Sequence, residues 1–139
     1  MFSRPTQYAV RAMTYLASQP PGKLSGAQEV ATAEKIPAAF LWKILHRLAQ
    51  KKLIRSFKGV RGGYELARPA RRITLAQVTR ATEHRGGKRQ CLLGFPKCDG
   101  SRPCPLHEVE TKLRSALQRT TLADVAKAPR PAASRKLAR

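Results

Sequence analysis

Four residues between positions 91 and 107 have the types and the spacing to hold an inorganic cofactor. They read Cys91-x6-Cys98-x5-Cys104-x2-His107 and include every cysteine of the 139-residue chain. Thiolate and imidazole are good ligands for zinc and for iron–sulfur clusters, and four donors suffice for either. The glycines among them let a loop fold around such a group, and the prolines reduce the entropy lost in doing so. Redox-reactive free thiols are another reading. A further one is a cysteine nucleophile with His107 as its base, because Cys104 and His107 stand about one helical turn apart. No oxyanion-hole motif, cofactor loop or orienting carboxylate accompanies them, so no enzyme is expected and no small-molecule substrate.

The chain carries 28 Lys and Arg against 8 Asp and Glu, a formal net charge of +20 with a pI near 11.3. A field of that sign attracts polyanions, nucleic acid first and an anionic membrane surface second. No apolar run approaches the roughly 18 residues that would span a bilayer, so no membrane role is expected. The acid-free start "MFSRPTQYAVRAMTYLA" has the composition of an organelle transit peptide. Yet Ala9, Ala12, Met13 and Leu16 keep the spacing of a core-facing helix, which favours retained structure and a cytoplasmic protein. An odd cysteine count also argues against a secreted disulfide framework.

The elements that would position these residues follow from local signals. After the first helix, "QPPG" breaks the pattern. Ser25 with Gln28 three residues on has the form of a capping box opening a second helix. Pro37 suits the first position of a third helix, "PAAFLWKILHRLAQKK", in which Leu41, Ile44, Leu45 and Leu48 form the buried stripe. Leu53–Phe57 and "YELA", joined across Lys58-Gly59 and Gly62-Gly63, read as a β-hairpin with a basic tip. Two helices across a tight turn followed by such a hairpin describe a winged helix-turn-helix, mainly α with a small β wing. A fourth helix opens at Thr74, with Gln77 in the capping-box position, and runs to about Glu83. Leu106, Val109, Leu113 and Ala116/Leu117 then step by three and four, as in a helix that pairs with a second copy of itself. "TTLADV" suits a final short turn.

These signals divide the chain into a DNA-binding domain (1–84), a cysteine-rich loop (85–105), a dimerisation helix with a short turn (106–126) and a basic disordered tail (127–139). Between Ala38 and Arg80 lie eleven Lys or Arg and a single acid, Glu65. That is where contacts to the phosphates of double-stranded DNA would be needed. In the third helix Ala38 and Ala39 permit close approach to a groove, and Lys43 and His46 can donate to bases or phosphates. Trp42 can pack on a thymine methyl or fold back on the core. Lys58 and Arg61 at the hairpin tip suit a narrow minor groove. His46 belongs to that face and His84 to an Arg-Gly-Gly turn, so neither is counted with the cysteines.

With "YAVRAMTYLA", "LWKILHRLAQKKLIRSFKGVRGGYELAR" and "CPLH", the chain up to about Ala126 resembles the iron–sulfur cluster regulator family of winged-helix transcription factors, which includes IscR, NsrR and the cluster-free CymR. The resemblance implies a homodimer whose long C-terminal helices cross between subunits. It implies that Cys91, Cys98 and Cys104 are the cluster cysteines and that His107 completes a [2Fe–2S] site. The first cysteine gap is one residue longer than the family's usual one. Gln7 stands where the nitric-oxide-sensing branch places an aspartate, which favours [2Fe–2S] over [4Fe–4S]. Trp42 replaces a polar residue of the IscR-type recognition helix, so no operator sequence carries over. The expected function is a regulator, a repressor by preference, that senses iron, redox or nitric oxide stress. The alternative is a cluster-free thiol-based or zinc-containing DNA-binding regulator.

Overall fold

The computed structural model describes residues 2–83, 93–94, 101 and 104–128. Among them are helices α1 (Arg4–Ala17), α2 (Ala27–Glu34), α3 (Ala38–Gln50), α4 (Leu75–Thr82), α5 (Pro105–Arg119) and α6 (Leu122–Lys127). Strands β1 (Ile54–Phe57) and β2 (Gly63–Leu66) pair antiparallel, with Ile54 opposite Leu66 and Phe57 opposite Gly63. This is the expected winged helix-turn-helix.

Helix α1 starts at Ser3, whose hydroxyl accepts from the Thr6 N–H, and it buries Ala9, Ala12, Met13 and Leu16 as their spacing predicts. Leu41, Ile44, Leu45 and Leu48 of α3 meet that face, along with Val30, Ile73 and Val78. Each such buried aliphatic side chain contributes about 1.5–3 kcal/mol of transfer free energy. Thr74 and Gln77 make both bonds of the capping box that opens α4. Thr121 and Asp124 make a second box, which turns the expected final turn into the two-turn α6. Its Leu122 is fully buried in the same core, and Leu122 N–H donates to Ile73 O at 2.9 Å.

Two expected boundaries move. Ser25 is not the cap of α2: Gly26 occupies that position without any side-chain bond. Ser25 is instead buried and extended, because its backbone pairs with the wing. Its N–H donates to Tyr64 O at 3.0 Å, and Tyr64 N–H donates to Ser25 O at 2.8 Å. Gln28 bonds Thr32 further along the helix. Pro37 is the cap of α3 rather than its first residue, with its carbonyl accepting from Leu41 N–H at 2.9 Å.

Helix α3 ends in a tight reversal. Lys52 adopts a left-handed φ of 59°, its N–H donates to Ala49 O, and Leu53 N–H donates to Leu48 O. This is the Schellman pattern, in which glycine is the usual residue at the left-handed position. Burial of Leu53, 3% exposed, holds the reversal and launches β1.

Candidate functional site

Two surfaces carry the chemistry anticipated from the residues. The first is the outer side of α3 with the wing. Ala38, Ala39, Trp42, Lys43 and His46 all point outward, opposite the Leu41–Leu48 stripe. Trp42 does not fold back on the core. It is 58% exposed and stacks on His46, one helical turn later, with ring planes 12° apart. Phe40, outside the expected set, is also partly exposed and packs edge-on against Tyr8 of α1. That contact fixes the approach of α3 to α1.

Lys58 and Arg61 are exposed at the wing tip, as anticipated. Val60 between them is fully exposed. Its charged neighbours are what a count of cations picks out, whereas an exposed apolar side chain at the tip leaves no charge signal. The tip depends on Gly62, where a Cβ would lie 2.1 Å from Phe57 O and 2.9 Å from Gly59 O. Gly63 is equally constrained: its φ is +151°, and a Cβ would meet the Ser25 backbone at 2.9 Å.

Not every cation of the segment faces outward. Arg47 is half-buried, and its guanidinium donates to Thr82 O at 3.3 Å, tying the end of α4 to α3. Thr82 Oγ1 lies 2.8 Å from Thr6 Oγ1, and Thr6 donates to the Glu83 carboxylate at 2.6 Å. The Ser3 hydroxyl donates to the same carboxylate at 2.9 Å. The exit of α4, just ahead of the cysteine-bearing segment, is therefore anchored to both α1 and α3.

The second surface is the start of α5. Cys104 is the N-cap residue, half-buried, with a free thiol that makes no capping bond. His107 is half-buried in the first turn, and its carbonyl accepts from the Thr111 hydroxyl at 2.8 Å. The helix thus presents one thiol and one imidazole within a turn, a donor pair that fits a soft metal centre. Cys91, Cys98 and His84 lie outside the described residues. Among the described residues no group of three or more His, Cys, Asp or Glu is gathered at one place. Gln7, exposed, donates to Phe2 O at 3.0 Å.

Helix α5 lies along α4 and buries none of its fifteen residues. Leu106, Leu113 and Leu117 are half-covered, and Val109 is 55% exposed. No helix among the described residues is long and apolar enough to cross a membrane.

A family model described as "Rrf2: Iron-dependent Transcriptional regulator" matches residues 2–128. A protein named as an HTH-type transcriptional regulator in Mycobacterium tuberculosis (strain H37Rv) is 38% identical over 128 residues, covering 89% of this chain and 80% of that one. The HTH-type transcriptional regulator NsrR of Halalkalibacterium halodurans is 33% identical over 125 residues, 86% of each chain. These relatives carry the names of regulators, not of enzymes. Among solved structures, CymR, the global cysteine regulator of B. subtilis, superposes with a TM-score of 0.79 at 21% identity, covering 94% of this chain and 98% of that one. T. potens IscR superposes with a TM-score of 0.73 at 23% identity, covering 94% and 93%. At those identities the two structures speak for the fold.

Proposed function

The chain belongs to the Rrf2 family of transcriptional regulators, DNA-binding proteins of winged-helix fold, and from that premise we propose that it is a homodimeric repressor that senses iron, redox or nitric oxide stress through an iron–sulfur cluster. The cluster ligands in this reading are Cys91, Cys98, Cys104 and His107, with [2Fe–2S] favoured. When bound, such a cluster supplies a centre that responds to oxidants, nitric oxide and iron supply. Ala38, Ala39, Trp42, Lys43 and His46 meet the major groove, while Lys58 and Arg61 meet the minor groove.

The observation that carries the reading is the chain of contacts from donor pair to recognition helix. Cys104 and His107 occupy the first turn of α5, α5 lies on α4, and Arg47 of α3 holds the last carbonyl of α4. Repositioning Cys104 or His107 therefore acts through packed helices on the element that enters DNA. The half-covered apolar stripe of α5 supports pairing with a second copy. Two recognition helices held at one separation require matching half-sites, so a small rotation of one subunit weakens binding at both.

The test is anaerobic purification with absorbance, iron and sulfide analysis, followed by operator affinity of the iron-loaded and iron-free forms at fixed salt. A brown protein whose two forms differ at least tenfold in affinity supports the proposal. Equal affinities remove the sensing role. A colourless protein with stoichiometric zinc favours the zinc-containing alternative, and one that takes up no metal favours the thiol-based alternative.

A further inference from the structure

A concavity of about 200 Å³ opens between the C-terminal end of α3, the foot of the wing and α4, lined by Lys51, Leu53, Arg68, Gln77, Arg80 and Ala81. Leu53 and Ala81 are buried and form its apolar floor. Lys51, Arg68 and Arg80 are exposed around it, and no acidic residue lines it. Among the described residues no ion pair engages any of these three cations. Three like charges from three separate elements thus converge on one hollow without a carboxylate.

The fourth polar group completes a donor-only site. Gln77 Oε1 accepts from the Thr74 N–H at 3.0 Å in the capping box. That bond fixes which end of the amide is oxygen and engages it, leaving the Gln77 NH₂ as a pure donor. Two guanidinium forks, an ammonium and an amide NH₂ suit the oxygens of a phosphate group, to which arginine binds in bidentate fashion. The partial negative charge at the α3 C-terminus opposes an anion, but it amounts to about half a unit against three full positive charges.

The same phosphate chemistry could come from DNA or from a free ligand, and position separates them. Ala38 and Ala39 lie at the opposite end of α3, about 20 Å away by helical rise. Leu53 and Arg68 flank the strand ends remote from the wing tip. The hollow therefore stands back from the start of α3 and from the wing tip, with His46 the nearest of the groove-facing residues at about 8 Å along the helix. We infer that Lys51, Arg68, Gln77 and Arg80 form a binding site for a small, multiply charged phosphate-type anion, separate from the DNA surface. The ligand bridges recognition helix, wing and α4. The binding claim goes beyond the regulator reading and does not depend on it.

The experiment titrates the ¹⁵N-labelled full chain with pyrophosphate at constant ionic strength. Saturable shifts confined to Lys51, Leu53, Arg68, Gln77 and Arg80 are expected. Affinity should fall at least tenfold in an Arg68→Gln/Arg80→Gln variant and stay unchanged in Lys58→Ala/Arg61→Ala. Shifts spread over all basic residues without saturation, or undiminished affinity in the first variant, overturn the site. A second arm measures duplex DNA affinity of Arg68→Gln/Arg80→Gln without pyrophosphate. Unchanged affinity supports a separate site, whereas weaker binding with a shallower salt dependence assigns the hollow to DNA phosphates and overturns it. Loss of the regulator reading, seen as no sequence preference in any duplex, leaves the pyrophosphate result standing.

Discussion

Trp42 and His46 stack on the outer surface of α3 with ring centroids 5.8 Å apart and planes inclined by 12°. The pair forms a flat aromatic platform on the exposed side of α3, the side proposed to face the DNA groove. Trp42→Ala is expected to weaken binding to an operator selected from random duplexes by about 1–3 kcal/mol, as for loss of one base contact. The fold should change by less than about 0.5 kcal/mol, because the side chain is exposed. Fluorescence anisotropy and a thermal melt measure both. Unaltered affinity would place the platform outside the interface.

The wing offers a separation of charge from shape. Lys58→Ala/Arg61→Ala should reduce the slope of log affinity against log salt by about 2 per subunit, about 4 for a dimer on two half-sites, one for each phosphate contact. Gly62→Ala keeps every charge but places a Cβ 2.1 Å from Phe57 O, so the tip cannot close. It should weaken binding at least as much as the double variant. A Gly62→Ala protein with normal affinity would show that the tip does not touch DNA.

Cys104→Ala and His107→Ala act on neighbouring positions with different expected results. Cys104→Ala should lose nearly all iron and sulfide under anaerobic conditions, since the proposed site would be left with two of its three thiolate ligands. His107→Ala should lower occupancy and shift the visible spectrum, and His107→Cys should restore occupancy with a changed spectrum. Full iron and sulfide content in Cys104→Ala would remove that residue from the ligand set.

Acid and base should weaken the α1–α2 contact for opposite reasons. The Tyr15 hydroxyl donates to Glu29 Oε2 at 2.7 Å, and Lys23 Nζ lies 3.2 Å from the same oxygen. The bond to Glu29 pushes the Tyr15 hydroxyl up from 10.0 to about 12. The same bond, helped by Lys23, holds Glu29 below its ordinary 4.5. A raised folded-state value stabilises below pH 10 and is lost as pH climbs through 12. A depressed carboxylate stabilises above its ordinary value and is lost on acidification. Tyr15→Phe should therefore cost about 0.5 kcal/mol on a plateau between those limits, a small figure because water screens the pair. Urea midpoints of both proteins across pH should converge at each extreme.

Leu122→Ala tests whether the C-terminal turn belongs to the first domain's core. The side chain is fully buried, so the substitution should cost about 2–5 kcal/mol in urea unfolding. A loss below about 1 kcal/mol would mean that α6 is a loosely attached appendage.

Much of this architecture is legible in residue order because it rests on short-range rules. The spacing of Leu41, Ile44, Leu45 and Leu48 commits one side of α3 to the core and the other to solvent. Thr74 and Gln77 suffice for a helix start, since both capping bonds close within four residues. The paired glycines of the wing mark a backbone that no Cβ tolerates. The donor types of Cys104 and His107 are likewise plain before any folding.

Tertiary structure alone decided the features that depend on distant partners. Ser25 has the side chain of a helix cap, but its backbone is claimed by Tyr64, and backbone pairing leaves no residue-type signature. Lys35 and Lys52 take left-handed conformations where glycine is the usual signal, because the packing of Ile36 and Leu53 behind them outweighs local propensity. Arg47 is turned inward by one carbonyl of α4, although its type matches the exposed cations around it. Lys51, Arg68 and Arg80 become neighbours only when helix, wing and α4 close together. Local order specifies what each segment can form and which groups it carries; the core decides which of those groups meet, because burying apolar surface outweighs the preference of any single residue.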